Sequence, residues 1–318
     1  MILYRKDPIF NNLERQGKYS AVLFHTFIKN KKVYTVWADG IEYNQLEFFK
    51  KNKTLLLTNS KFNNVDEFES NIHTVNESYY GSMYHNYEVN PYTTINRQFN
   101  CFSNRFDVFR QTWFYHLIRR KWLDLGYVSF NCDLTHSQPS GYRGLTSSEI
   151  FEASFLDYNQ NFAHEHQQIK NKIPYKNFTD DGDLTGLILS SNISIILETW
   201  FSGNHCVTFS EKTMRCLQLP RPWVLFSVKG AVQQLRQWGF DVLDDVVDHS
   251  VYDNIDNSVE RQVKILDLLE DLIVLNIPVE RCIQASEHNK SVLKSWSDSW
   301  FDNMHKDFEI VHKKILTL

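Results

Sequence analysis

Glycine is scarce in this sequence, at 11 of 318 residues, which argues against a repeat array or a glycine-rich scaffold. No G-x-x-x-x-G-K-(S/T) phosphate loop and no G-x-G-x-x-G turn occurs, so P-loop kinases and ordinary dehydrogenases are poor matches. Cysteine is sparse and odd in number: Cys101, Cys132, Cys206, Cys216 and Cys282 never come near C-x-x-C spacing. That usage fits a reducing compartment and offers no zinc ribbon. Apolar runs last only a few residues, far short of the roughly 20 that span a bilayer. Met1-Ile2-Leu3-Tyr4 meets Arg5, Lys6 and Asp7 at once, so no signal-peptide core follows. Excess positive charge is missing too, with 34 Lys and Arg against 38 Asp and Glu and a pI near 6.3. Nonspecific nucleic-acid binders are usually basic, so any such contact here must be a local patch. The expectation is a soluble, cytoplasmic protein without a membrane partner.

What is present is a long, aromatic-rich globular chain. Hydrophobic residues at 42% and charged residues at 23% exclude a disordered chain. A mass of 37.7 kDa is about twice a typical domain, and either half is long enough to bury a core. The β-rich runs Tyr19–His25, Lys32–Trp37 and Thr54–Thr58 read as strands, and Asn44–Lys50 and Val65–Glu69 as helical. Residues 73–93, polar and rich in tyrosine, read as a long irregular loop. Phe106, Phe109, Trp113 and Leu117 recur at helical spacing between about Arg105 and Leu125, followed by a strand at Tyr127–Asn131. Ser147–Lys172 reads as a helix stopped by Pro174.

After a polar break at Asn177–Asp183 the pattern restarts. Ile193–Trp200 and Pro222–Val228 read as strands, and Ser210–Leu219 and Gly230–Trp238 as helices. From Ser258 the chain is nearly all helical, with Val263, Leu266, Leu269 and Ile273 on one apolar face. Such alternation predicts α/β architecture with mostly parallel sheets. The predicted division is 1–178, 179–300, and a C-terminal helix at 301–318 that returns to the first domain.

The chemistry concentrates in Ile193–Asp253. One strand ends in Glu198, and Thr208-Phe209-Ser210-Glu211-Lys212-Thr213 opens a helix. Ligands of open α/β sheets collect outside the carboxyl ends of the strands. A carboxylate there can take both hydroxyls of a ribose. Helix-start N–H groups and a first-turn lysine can hold a diphosphate. The same residues also have plainer uses: Ser210 as an N-cap, and Glu211 with Arg215 as an i, i+4 ion pair.

Strand–Glu198, then Ser210-Glu211-Lys212-Thr213 on a helix start, then a Pro-led strand resembles the donor-binding domain of fucosyltransferase-like glycosyltransferases. The continuation Gly239-Phe240, Asp244 and Tyr252-Asp253 is similar to the bacteriophage and large-virus relatives of that group. So is Phe102-Ser-Asn104-Arg105-Phe-Asp-Val-Phe-Arg110 followed by a helix and a Ser-Phe-Asn strand. The resemblance covers roughly residues 95–262. It implies two Rossmann-like domains facing across a cleft, with nucleotide-sugar in the second and acceptor in the first. Glu198 would then hold the donor ribose and Lys212 the diphosphate. Ser210 and Thr213 would line the phosphate site beside Glu211, and Asn104, Arg105 and Arg110 would face the cleft. The family has Glu-Asn where Glu198 precedes Thr199, so fucose does not carry over and the donor is a UDP- or GDP-sugar. If the protein is viral, the compartment is the host cytoplasm.

An inverting transferase needs a base near the acceptor, for which Asp39, Asp133 and His25 are the candidates. Cations and dipoles can stabilise the leaving diphosphate, so no obligatory metal is expected. Asp181-Gly182-Asp183 has the Asp-x-Asp form of metal-dependent transferases but sits in the polar break and reads as an interdomain turn. His164 and His166 are two apart on the predicted helix and face different sides. Basic clusters at Lys29, Lys31, Lys32, at Lys50, Lys51, Lys53 and at Arg119, Arg120, Lys121 fall in the first half. Interleaved with aromatics, they could track DNA and stack a displaced base, making a hydroxymethylated base in phage DNA the expected acceptor. Alternatives are transfer to polysaccharide or protein, and a nucleotide- or nucleic-acid-binding module without catalysis.

Overall fold

The computed structural model describes residues 27–28, 31–32, 35–37, 55–58, 61–62, 72–74, 77–103, 108–130, 181–198, 206–274 and 276–317. The strands in chain order are β1 (Phe27–Ile28), β2 (Lys31–Lys32), β3 (Thr35–Trp37), β4 (Leu55–Thr58), β5 (Lys61–Phe62) and β6 (Ile72–Thr74). They continue with β7 (Arg97–Ser103), β8 (Gly126–Phe130), β9 (Ser191–Leu197), β10 (Cys206–Val207) and β11 (Trp223–Phe226). The helices are α1 (Val108–Arg119), α2 (Asp181–Leu189), α3 (Glu211–Leu217), α4 (Ala231–Gln237), α5 (Ser250–Asp253), α6 (Ser258–Leu272) and α7 (Val279–Thr317). Among the described residues no helix is long and apolar enough to cross a membrane.

The chain forms two compact units. The first takes residues 1–82, 205–208 and 293–318, and the second residues 83–204 and 209–292. In the first unit β3, β4 and β6 form a parallel sheet in that order, with Thr35 opposite Leu55 and Leu57 opposite His73. β1 pairs with β2, and β5 with β10, in short antiparallel ladders. A 3-10 turn, Glu77–Met83, and β6 occupy part of the stretch expected to be one irregular loop. A methyl group on Gly81 would overlap the backbone of Trp296 and Ser297, so the absence of a side chain permits that approach.

The second unit is built on a four-stranded parallel sheet in the order β11-β9-β7-β8. Every residue of β9 and β11 is buried, as a parallel sheet covered on both faces requires. On α1, Trp113, Phe114 and Leu117 are fully buried, and the Trp113 ring stacks on Phe226 of β11 at 5.8 Å. Of the helical periodicity expected for that segment, Trp113 and Leu117 thus lie on the buried face of α1, and Phe106 lies outside the described residues. Gly126 of β8 lies opposite Phe99 of β7, and a methyl group there would overlap the Phe99 ring. Buried Arg221 ties the unit's irregular stretch to α2, donating to the carbonyls of Pro91, Thr93, Leu189 and Pro220 at 2.6–3.3 Å.

Three expectations need correction. The boundary predicted at 178/179 falls between β8 and β9, yet β7 hydrogen-bonds to both, so strands from either side of it share one sheet. The polar break that prompted it begins α2, since Asp181-Gly182-Asp183 is helical rather than an interdomain turn. On α6 the buried face is Ile265, Leu266, Leu269 and Leu272, running on to Ile273, whereas Val263 is exposed.

Candidate functional site

Numbered by chain position within the sheet, β8-β7-β9-β11 reads 2-1-3-4. The chain leaves β7 toward β8, then returns to the other side of β7 for β9 and β11. Strand order therefore reverses between β7 and β9. In doubly wound sheets the crevice for ligands opens at the carboxyl ends of such a pair. Here those ends are Ser103 on β7 and Leu197-Glu198 after β9.

Five of the expected site residues converge there. The Arg110 guanidinium, on α1, donates to the Glu198 carbonyl at 2.6 Å and the Leu197 carbonyl at 3.5 Å. Lys212, in the first turn of α3, donates from Nζ to the same Leu197 carbonyl at 3.1 Å. Glu198 Oε1 accepts from the Ser210 N–H at 2.9 Å and from Thr213 Oγ1 at 2.5 Å. Ser210 is the N-cap of α3, its hydroxyl accepting from the Lys212 N–H at 3.3 Å. A serine in extended backbone ahead of a helix start forms this cap through local geometry alone.

Several expected roles change with these contacts. Arg110 is 1% exposed and bonded to the end of β9 within the second unit. Glu198 is equally buried, with its Oε1 engaged by α3. Thr213 is fully buried and gives its hydroxyl to Glu198, so it does not line a phosphate site. Helix α3 has only 7 residues, and Ser210 and Glu198 already accept N–H groups at its start. Lys212 is half-buried and Glu211 exposed. Arg215, expected to pair with Glu211, donates to the Tyr87 hydroxyl at 3.3 Å. His25, Asp39, Asn104, Arg105 and Asp133 lie outside the described residues.

Cys101, at the middle of β7, senses both cations. Burial pushes its thiol up to about 12, against the pull of the nearby Arg110 and Lys212 charges. Burial holds Cys216, on α3, equally high. Both cysteines are free thiols without nucleophilic character near neutral pH. Among the described residues no group of three or more His, Cys, Asp or Glu could hold a metal ion. Of the basic clusters, Arg120 is committed elsewhere: it pairs with Glu270 and Asp267 and lies over the Trp122 ring.

The carboxyl end of β11 holds residues whose roles sequence reasoning missed. Asp253 accepts from the Val232 N–H at 3.0 Å and the Gln233 N–H at 2.9 Å, capping α4 from some twenty positions away. Burial raises its pKa. Arg261 donates to the Ser227 carbonyl at 2.9 Å. Tyr252 Oη accepts from the Leu225 N–H at 3.2 Å and lies 2.6 Å from His249 Nδ1. His249 Nε2 lies 2.9 Å from the Val242 carbonyl, which can only accept, so the proton sits on Nε2 and Tyr252 donates to Nδ1. Burial holds the His249 pKa down to about 4.

The fold and site define an α/β protein with a parallel four-stranded sheet, compatible with a Rossmann-like fold, and a cationic strand end at its switch point. Compared with known proteins, the chain matches no family model, no curated sequence and no solved structure.

Proposed function

We propose that the protein is a nucleotide-sugar-dependent glycosyltransferase whose donor diphosphate binds beside the carboxyl end of β9. One observation carries this reading. Lys212 and Arg110 come from helices on opposite sides of the sequence and meet on the Leu197 carbonyl, where strand order reverses. Half-buried Lys212 presents its charge there, and Arg110 adds a second positive charge beneath it. Positive charge held in place without a metal suits a leaving diphosphate. Motif resemblance supplies the sugar; the geometry by itself supports an anion.

With this goes a further proposal: two Rossmann-like bodies facing across a cleft, the second carrying the donor. A parallel sheet in each unit supports it. The acceptor proposed with it is a modified base in DNA, favoured by the basic residues of the first half. Arg120, already paired with Asp267 and Glu270, contributes least to that.

The test is thermal melting against UDP, GDP, CDP, ADP and their sugars for wild type and Lys212→Ala. A nucleotide at a hundred times its Kd stabilises by roughly 2.7 kcal/mol, a clear shift. One nucleotide raising the wild-type midpoint and not the variant's is the expected result. A chain that answers to none of them is not a donor-binding transferase. Release of free nucleoside diphosphate on mixing donor and acceptor then separates a catalyst from a binding module. Loss of DNA binding with rising salt checks the acceptor.

A further inference from the structure

We infer that Glu198 is a positioning residue that aims Lys212 at the donor diphosphate, and not the group that holds the ribose. This rests on the donor-site reading above and assigns a different task to one of its residues. Glu198 is 1% exposed, so its carboxylate is turned into the protein and away from solvent. Oε1 takes two donors at once, the main chain of Ser210 and the side chain of Thr213, at 2.9 and 2.5 Å. Those two residues flank Lys212 in the chain, one at the N-cap and one in the first turn of α3. A carboxylate bonded on both sides of a lysine fixes the backbone from which that lysine departs. The Ser210 hydroxyl adds a third restraint through the Lys212 N–H. The Lys212 side chain then runs back to the Leu197 carbonyl, the residue next to Glu198. Glu198, α3 and the end of β9 thus close a small loop of hydrogen bonds with the ammonium at its rim.

Holding a long, rotamer-rich side chain in one place before the ligand arrives removes an ordering cost from binding. A ribose ligand, in contrast, needs carboxylate oxygens that face the bound nucleoside. The arrangement therefore makes a distinct prediction for a ligand with no ribose.

The experiment titrates the full-length protein with inorganic pyrophosphate and with the nucleoside diphosphate that stabilises wild type. The variants are Glu198→Gln, Glu198→Ala and Thr213→Val, each made alone and again on the Lys212→Ala background. An amide oxygen still accepts from Ser210 and Thr213, so Glu198→Gln should bind both ligands within about twofold of wild type. Glu198→Ala should weaken both ligands by roughly tenfold, including pyrophosphate. Once Lys212 is gone, the same change should do almost nothing, because the two residues act through one another. Thr213→Val removes one donor, touches no ligand, and should weaken both ligands in the same sense. It keeps the test available if Glu198→Ala fails to fold. The inference is overturned if Glu198→Gln is as damaging as Glu198→Ala toward the nucleotide while pyrophosphate binding is unchanged, since that is how a ribose ligand behaves. If wild type binds neither pyrophosphate nor any nucleoside diphosphate, the donor reading fails first and this one with it.

Discussion

The carboxyl ends of β9 and β11 are built from the same parts and finish differently. Each strand end has a buried arginine donating to its carbonyls, Arg110 at Leu197 and Glu198 and Arg261 at Ser227. Beyond each, a helix starts under a carboxylate, Glu198 for α3 and Asp253 for α4. At β11 the carboxylate takes two main-chain amides, and Tyr252 and His249 fill the space beside the strand. At β9 the carboxylate takes one amide and one hydroxyl, and half-buried Lys212 sits over the strand end. The same capping chemistry serves as a plug in one place and as a footing for a charge in the other. The first should matter to stability and the second to binding.

The largest expected effect tests the plug. Asp253→Ala leaves the buried Val232 amide and the part-buried Gln233 amide without their acceptor and should lower unfolding stability by about 2–3 kcal/mol. Urea denaturation would read this, with the nucleotide response at β9 unchanged; a loss below about 0.5 kcal/mol would remove the contrast.

Next comes acidity. Folding holds His249 near 4, while an unfolded histidine titrates near 6.5, so the unfolded chain binds the proton more readily between those values. This contribution is complete above about pH 6.5. It is lost as pH falls toward 4, at about 1.4 kcal/mol per unit. His116, lowered to about 4 by burial and by Arg120 and Arg119, adds in the same direction. Asp253, raised by burial, takes up a proton in the folded state and offsets part of the loss. Stability measured from pH 7.5 to 4.5 should therefore fall, and His249→Gln should flatten the slope by close to one proton. Equal slopes for both proteins would show that His249 is not buried neutral.

The smallest effect on stability belongs to the footing. Without ligand, Lys212→Ala should shift unfolding by less than about 0.5 kcal/mol, since a half-buried lysine bonded to one carbonyl holds little of the core. A loss as large as that of Asp253→Ala would make Lys212 part of a plug after all, and the two strand ends would be alike.

How much of this was legible in the sequence depends on the range of each interaction. The Ser210 cap was readable because its partner is two residues away. Strands β8, β9 and β11 and helices α3 and α4 stood out as apolar runs bounded by Pro, Gly and Ser. The central strand β7 did not. Its buried positions include Asn100 and Ser103, which break the apolar pattern. Asn100 is tolerated there because its amide donates to Ser194 Oγ at 3.0 Å, directly across from it on β9. That partnership exists only once the two strands are in register, so no local window contains it. With β7 unseen, the sheet could not be recognised as crossing the polar break, and the division at 178 followed. The residue types at the β9 site were legible for the same local reason as its helix start. What they bond to was not, because Arg110 and Glu198 meet across 88 positions of chain.

Neither unit is a continuous stretch of chain, and that has a consequence for biosynthesis. As the polypeptide leaves the ribosome, β7 emerges long before β9, its neighbour in the sheet, and β11 follows later still. The first unit likewise recruits residues 205–208 and 293–318, far along the chain from its β3-β4-β6 sheet. Closing such distant pairs is slow, and partly made sheets expose unpaired edges in the meantime. Productive folding of either unit therefore waits for segments made long after its first strands. A nascent chain that stalls before β9 carries β7 without one of the neighbours it needs.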